Sequence, residues 1–430
     1  MRRRLAVGSL VFSIAVVAGC GTDPVVVEPT ATERNPVRDW AAIVQPAVHN
    51  PNEPRNPGSS EVLHTIVHLA VYDAVVAIEG GYQPFGGAVE APEGADVNAA
   101  VASAAYHAAR DRVAPSQHAY LDGEFAAYLA DIPDGQAETD GAEVGEAAAA
   151  GVLARRAGDG LGTAVQYRCS ATPPPAGEFE PDGGCGTEPI GANLAQLRPF
   201  TFDDPAQFRP DGPDAPSSER WVKDFDEVKE LGRKDSSVRT PEQTDVAYFW
   251  SEHAYVHWNR NLIGLAVARD LDVLETARLF AMVHTAGSDA IIAGFEAKYS
   301  YRTWRPRTAI PRAAEDGNPQ TAPDATWTPL LSVNHPEYPS GHGFFSTALT
   351  DALAEFFGTD KVAWTLGTSK DAVPQLVETE RTYESLQALN DEVADARVWA
   401  GLHYRNTMDE GSALGRRVTE HVLDGWFRPS

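Results

Sequence analysis

Apolar residues recur at helical spacing through most of the chain. Over 60–79, Val62, Ile66, Leu69, Ala70, Ala74 and Ile78 fall near one helical face. The segments 98–112 and 142–157 are rich in alanine, which suits close helix packing, and 117–130 is a further helix candidate. Between 167 and 219 the pattern dissolves into proline, glycine and aspartate steps, so a long irregular excursion is expected there. Phe200, Phe202 and Phe208 are its natural pins to the body. Helical periods resume at 222–232, 241–255, 259–269 and 272–298, and again at 343–357, 379–401 and 411–427. Within 272–298, Leu274, Ala277, Ala281, His284, Ser288, Ile291 and Phe295 share a face. No alternating apolar run is long enough to argue for a sheet. The expectation is an all-α fold of two packed helical bundles.

The first twenty residues follow a different rule. Arg2, Arg3 and Arg4 precede an apolar run from Leu5 to Ala18, and Val17-Ala18-Gly19-Cys20 resembles a bacterial lipobox. Residues 1–20 read as a lipoprotein signal peptide, with Cys20 the lipidated mature N-terminus, or else as a plain export signal. Residues 21–38 read as a tether, 39–166 as an N-terminal helical region, 167–219 as the excursion and 220–430 as a C-terminal helical bundle. Past Cys20 no stretch reads as apolar for long enough to span a bilayer, so membrane contact is expected only through the lipid anchor. The protein is expected outside the cytoplasmic membrane, anchored to its outer face or secreted. In such a compartment Cys169 and Cys185, flanking a proline- and glycine-rich segment, are expected to pair.

Charge narrows the partners. The 430 residues carry a formal net charge of −26, which disfavours nucleic acid and anionic lipid surfaces. Against that background, three basic stretches in the C-terminal third stand out. Lys298 and Arg305 are separated by six residues, and Pro306 biases Arg305 out of helical geometry. Their side chains can converge on one anion, Arg305 through a planar fork and Lys298 as a point charge. Pro339-Ser340-Gly341-His342 precedes an apolar helix, and a Ser-Gly helix start offers a hydroxyl and backbone N–H groups to an anion. Arg397 and His403 lie six apart, so they share a site only if the helix breaks near Gly401. Each stretch alone reads equally well as a basic helix end, an ordinary N-cap or a core histidine.

Together these residues resemble the vanadium-dependent haloperoxidase and type 2 phosphatidic acid phosphatase superfamily. The pattern is Lys-x6-Arg-Pro, then Pro-Ser-Gly-His, then Arg-x5-His. Tyr248-Phe249-Trp250, His257-Trp258-Asn259 and the run from His68 to Ile78 with Tyr82-Gln83-Pro84 resemble its bacterial haloperoxidase-like branch. The resemblance covers about 39–427. It implies a vanadate or phosphate pocket in the C-terminal bundle. Lys298, Arg305, Arg397, Ser340 and Gly341 would hold the oxygens, and His342 would be the acid–base residue. His403 would be the vanadium ligand, or the phosphorylated nucleophile of a phosphatase. Hydrogen peroxide and halide would be the substrates, with a small organic substrate or a phosphoester as further candidates. His335, seven before His342, resembles the bromide-oxidising type.

Two departures matter. Phe295 stands where the family commonly has tryptophan, which affects the expected halide site. The family's fungal haloperoxidases and phosphatases place an aspartate four residues after the last histidine, and here that position is Thr407. Loss of that carboxylate argues against a phosphatase that uses His403 as nucleophile. The activities under consideration are therefore a vanadate-dependent haloperoxidase, a secreted acid phosphatase and a non-catalytic oxyanion-binding lipoprotein. The last would have no need for both histidines. Oligomeric state is not written in the sequence.

Overall fold

Helix α2, Pro57–Glu79, shows how the core is built. Asn56 caps it, its side chain accepting from Ser59 N at 2.9 Å, and Pro57 opens its first turn. Almost all of the helix is buried, its polar Glu61, His64, His68 and Asp73 included. In the computed structural model, which describes residues 34–50, 52 and 56–430, it lies between its neighbours α3, Val97–Arg112, and α5, Gln136–Arg155, and the long α9, Val273–Tyr301. By length and composition α2 would also cross a membrane, contrary to the sequence reading. Its neighbours enclose it instead, with 89% of its apolar window buried inside the protein.

The fold is all-α, with thirteen α-helices among the described residues. One layer is formed by α2, α3 and α5, and α3 meets α5 through alanine-lined faces. The other combines α9 with α11, Gly341–Phe357, and α13, Arg405–Gly425. A single continuous core runs through both layers. The described compact unit is Asn35–Ser430. Helix α1 begins at Pro36, capped by Asn35, so the backbone is helical within the last residues read as tether. The signal segment and Cys20 fall outside the described residues.

Three local differences from the sequence reading have physical causes. The break expected between 255 and 259 falls earlier, at 250–253, giving α7, Pro241–Phe249, and α8, Ala254–Ala268. The start of the expected helix at 379 is instead β2, Glu380–Tyr383, paired antiparallel with β1, Trp364–Gly367. These strands are four residues each, too short for alternation to register. Helix α12 then runs Leu386–Trp399, and Gly401 breaks the chain before α13 with φ of +74°. A side chain at Gly401 would meet Gly232 O at 2.5 Å, so only glycine lets the two segments approach.

Between 156 and 218 the chain forms short 3-10 turns and isolated bridges, and is fixed by both backbone and side-chain bonds. Cys169 and Cys185 are joined by a disulfide. Asp289 of α9 accepts from Phe200 N at 2.6 Å, Thr201 N at 3.1 Å and the Thr201 hydroxyl at 2.6 Å. Burial pushes the Asp289 carboxyl up to about 6, against the pull of those donors and of Arg156. Asp73 of α2 holds the backbone at Phe85 and Gly86 in the same way, and burial raises it to about 7.

Candidate oxyanion site

Helix α9 ends at Tyr301, where Arg302 adopts a left-handed conformation and turns the chain. That turn carries Arg305 out of the helix, in extended backbone ahead of Pro306. Lys298, in the last helical turn, and Arg305 then reach the same loop, 335–340, from two directions. The Lys298 ammonium donates to the carbonyls of Pro336 at 3.0 Å, Glu337 at 2.9 Å and Pro339. Arg305 donates to His335 O at 2.5 Å, Leu402 O at 2.8 Å and His335 Nδ1 at 3.0 Å. Burial, then the neighbouring Arg305, drives Lys298 well below its ordinary value. Three carbonyl acceptors nevertheless require three N–H donors, which only the ammonium form has.

Ser340 is buried and caps α11, with Gly343 N 3.4 Å from its hydroxyl. A Cβ on Gly341 would come within 4.0 Å of Lys298, His335 and Phe344, so that glycine faces the cationic cluster. His342 lies one residue further, on the wall of a pocket of about 470 Å³. The same pocket is lined by Phe295, His335, Gly341, Arg397 and His403, with Trp250 and the start of α2 completing the wall. Lys298, Arg305 and Ser340 stand behind this lining. The break at Gly401 brings Arg397, at the end of α12, and His403, ahead of α13, to one site. All seven residues marked in the sequence as oxyanion-binding or catalytic thus converge, as do His335 and Phe295, whose rings are 5.4 Å apart.

The cluster has a pronounced charge imbalance. Lys298, Arg305 and Arg397 are each at most 3% exposed, and none has a carboxylate within 4.0 Å among the described residues. Arg397 donates to Trp250 O at 2.8 Å, while its Nε, also buried, has no partner. Burial lowers Arg397 to about 9 and Arg305 to about 10. Two carboxylates are nearby: Glu252, on the pocket wall and paired with Arg260 at 2.7 Å, and the buried Glu337. Glu337 Oε1 accepts from His403 Nδ1 at 2.7 Å, Thr407 Oγ1 at 2.7 Å and Tyr404 N at 3.2 Å. Burial raises it to about 7. Burial and then Arg305, Lys298 and Arg397 hold His403 well below the usual histidine range. His403 is therefore held toward its neutral form, on the pocket wall with Nδ1 facing Glu337. His342 is pushed down by burial first, then by Arg397, while a bond to Trp250 opposes the shift.

Glu337 corrects the sequence reading. The orienting carboxylate missing at Thr407 is present, supplied from the loop on the opposite side of His403, with Thr407 as its hydroxyl partner. The argument against a histidine nucleophile therefore loses its premise. Glu337 is the one acidic residue between His335 and His342, but no spacing in the sequence ties it to His403.

Residues 278–428 match a family model described as the VCPO second helical-bundle domain. The vanadium chloroperoxidase of Curvularia inaequalis is 26% identical over 167 residues, which cover 35% of this chain and 25% of that protein. The match thus spans about a quarter of the curated relative's length. Among solved structures, the first bacterial vanadium-dependent iodoperoxidase superposes with a TM-score of 0.75 at 22% identity, covering 94% of this chain and 98% of that one. A holo-type bacterial vanadium-dependent chloroperoxidase superposes at 0.71 with 18% identity, covering 90% and 96%. The chain has the vanadium haloperoxidase fold, and its residues 278–428 match that second helical-bundle domain.

Proposed function

We propose that the protein is a vanadate-dependent haloperoxidase that oxidises halide, bromide foremost, with hydrogen peroxide to a hypohalous species. The observation that carries this is the cluster of three buried cations without an ion pair, beside a histidine, His403, that lines the pocket and is held through Nδ1 by Glu337. Buried charge of one sign is costly unless compensated. An oxyanion of tetrahedral or trigonal-bipyramidal shape meets the need, and phosphate fits the same donors.

Lys298, Arg305 and Arg397 would balance the oxyanion's charge, with Ser340 and the Gly341 N–H completing the oxygen contacts. His403 would ligate vanadium through Nε2, with Glu337 fixing the ring and its tautomer. Bound vanadate supplies Lewis acidity that activates hydrogen peroxide. His342, kept neutral by burial, would take the proton that peroxide gives up and return it to the departing water. His335 and Phe295 line the wall where halide would approach, and His335 supports the bromide reading. The relatives' names include both an iodoperoxidase and chloroperoxidases, so the halide series must be measured.

Export with lipidation at Cys20 is part of this proposal, and the Cys169–Cys185 disulfide supports an oxidising compartment. The test is bromide oxidation by hydrogen peroxide with the protein lacking residues 1–20, with and without orthovanadate. Vanadate-dependent turnover that vanishes in His403→Ala is expected, with iodide and chloride run alongside. The Glu337–His403 pair favours one other reading, a phosphatase with His403 as nucleophile. Phosphate release from a small ester without vanadium, and no halide turnover at any vanadate loading, would establish that reading instead.

A further inference from the structure

A second histidine cluster lies in the core, about 21 Å along α9 from Lys298 by helical rise. His64 and His68 of α2 are one turn apart, and His284 of α9 faces them. One ring nitrogen from each falls within 4.8 Å of the others, and all three residues are at most 2% exposed. Two of the three outer nitrogens are already oriented, while His68 Nδ1 is buried without a partner. His284 Nδ1 bonds Glu61 Oε1 at 2.6 Å, and His64 Nδ1 bonds the Tyr255 hydroxyl at 2.9 Å. The inward nitrogens are less well served. His284 Nε2 is buried with no partner, while His64 Nε2 and His68 Nε2 share one contact at 2.7 Å. Asn259 Oδ1 also points inward, 3.2 Å from His64 Nε2. Its amide nitrogen is fixed by Ala41 O and Gln45.

We propose that His64, His68 and His284 bind a divalent first-row metal ion, zinc foremost, through their Nε2 atoms, with Asn259 Oδ1 the nearest oxygen for a fourth position. Three imidazoles without a thiolate suit zinc and its neighbours. A carboxylate on the far nitrogen of a ligating histidine is the usual means of fixing its tautomer, and Glu61 is so placed while offsetting part of the ion's charge. The orphaned His284 Nε2 gains a partner. Ligand atoms about 2.0–2.1 Å from a tetrahedral ion sit about 3.3 Å apart. Asn259 already has that spacing from His64, the His64–His68 contact must open by about half an ångström, and the stacked His68 and His284 rings, 4.6 Å apart and 6° from parallel, must tilt so that both lone pairs meet the ion. Because the cluster is buried, the ion enters during folding rather than by diffusion into the folded protein. This site shares no ligand with the oxyanion cluster.

The test uses the untagged full-length protein, unfolded in guanidinium with EDTA, cleared of chelator and refolded with or without zinc. Expected is about one zinc per chain retained through a later EDTA dialysis, and below about a tenth in His284→Gln and His64→Gln. Zinc-edge X-ray absorption of the wild type should count three imidazoles, a readout that stands even if the variants fail to fold. Refolded protein with native circular dichroism but no zinc would overturn the site, leaving a hydrogen-bonded core cluster. Zinc retained undiminished in a folded His284→Gln variant, or an absorption edge without imidazole, would overturn it as well.

Discussion

His403 depends on a partner that the sequence pattern alone conceals. Lys298, Arg305, Ser340, Gly341, His342, Arg397 and His403 were legible because their spacings are rigid. Glu337 was not, because its role is defined by a contact with a residue 66 positions away. Glu337→Ala should therefore weaken vanadate binding by about 10–100-fold, the usual effect of losing such a partner. Thr407→Asp alone should also weaken it, since a second carboxylate would face Glu337 across the 2.7 Å contact that the Thr407 hydroxyl now makes. In the double variant Glu337→Ala/Thr407→Asp the new aspartate takes over His403, and much of the affinity should return. Equilibrium binding of vanadate across the four proteins measures this coupling. Strictly additive losses would mean that Glu337 acts on the loop rather than on His403.

At the scale of elements, the helices were readable because amphipathic periods persist over three turns or more. The excursion before α6, Glu219–Leu231, was not, because distant partners hold its backbone. Asn334 accepts from Ile190 N at 2.7 Å and Asp182 N at 2.8 Å, and Ile190 then lines the pocket. Beside it Gly191 has φ of +74°, and a Cβ there would lie 2.2 Å from the Phe295 ring. Gly191→Ala should cost about 1–3 kcal/mol of stability and displace Phe295, altering the KM for halide more than the affinity for vanadate. Unchanged halide kinetics in a measurably destabilised variant would separate the excursion from the site. Asp289, the excursion's other anchor, gives a pH signature. Its folded value, about 6, lies above the ordinary 3.8, so the folded state holds the proton more tightly. Its contribution to stability should therefore fall as pH rises from about 4 to 6, by up to about 3 kcal/mol, and be flat above that window. Urea midpoints at pH 4.5 and pH 7 should show a smaller loss on raising the pH in Asp289→Asn than in wild type. Equal losses in the two proteins would mean that Asp289 does not titrate in that range.

At the scale of the whole molecule, an acidic protein of net charge −26 sequesters Lys298, Arg305 and Arg397 in its interior. Folding without an anion must then bear their mutual repulsion, and binding one relieves it. Stability and ligand binding are linked: an oxyanion at about 100 times its Kd should add about 2.7 kcal/mol. The sharper consequence concerns Arg397, which has no acidic partner and an unsatisfied Nε. Arg397→Met keeps much of the volume and removes the charge. Burying a charge without a paired partner carries a desolvation cost that an apolar side chain of similar size does not. The variant should therefore melt at or above the wild type in anion-free buffer. With millimolar orthovanadate, or phosphate, the order should reverse, because only the wild type gains the ligand's contribution. Thermal unfolding of both proteins in both buffers gives the four midpoints. A variant that melts below the wild type by the same margin in each would mean that Arg397 is a packing residue, and that the charge in the cluster is compensated within the protein itself.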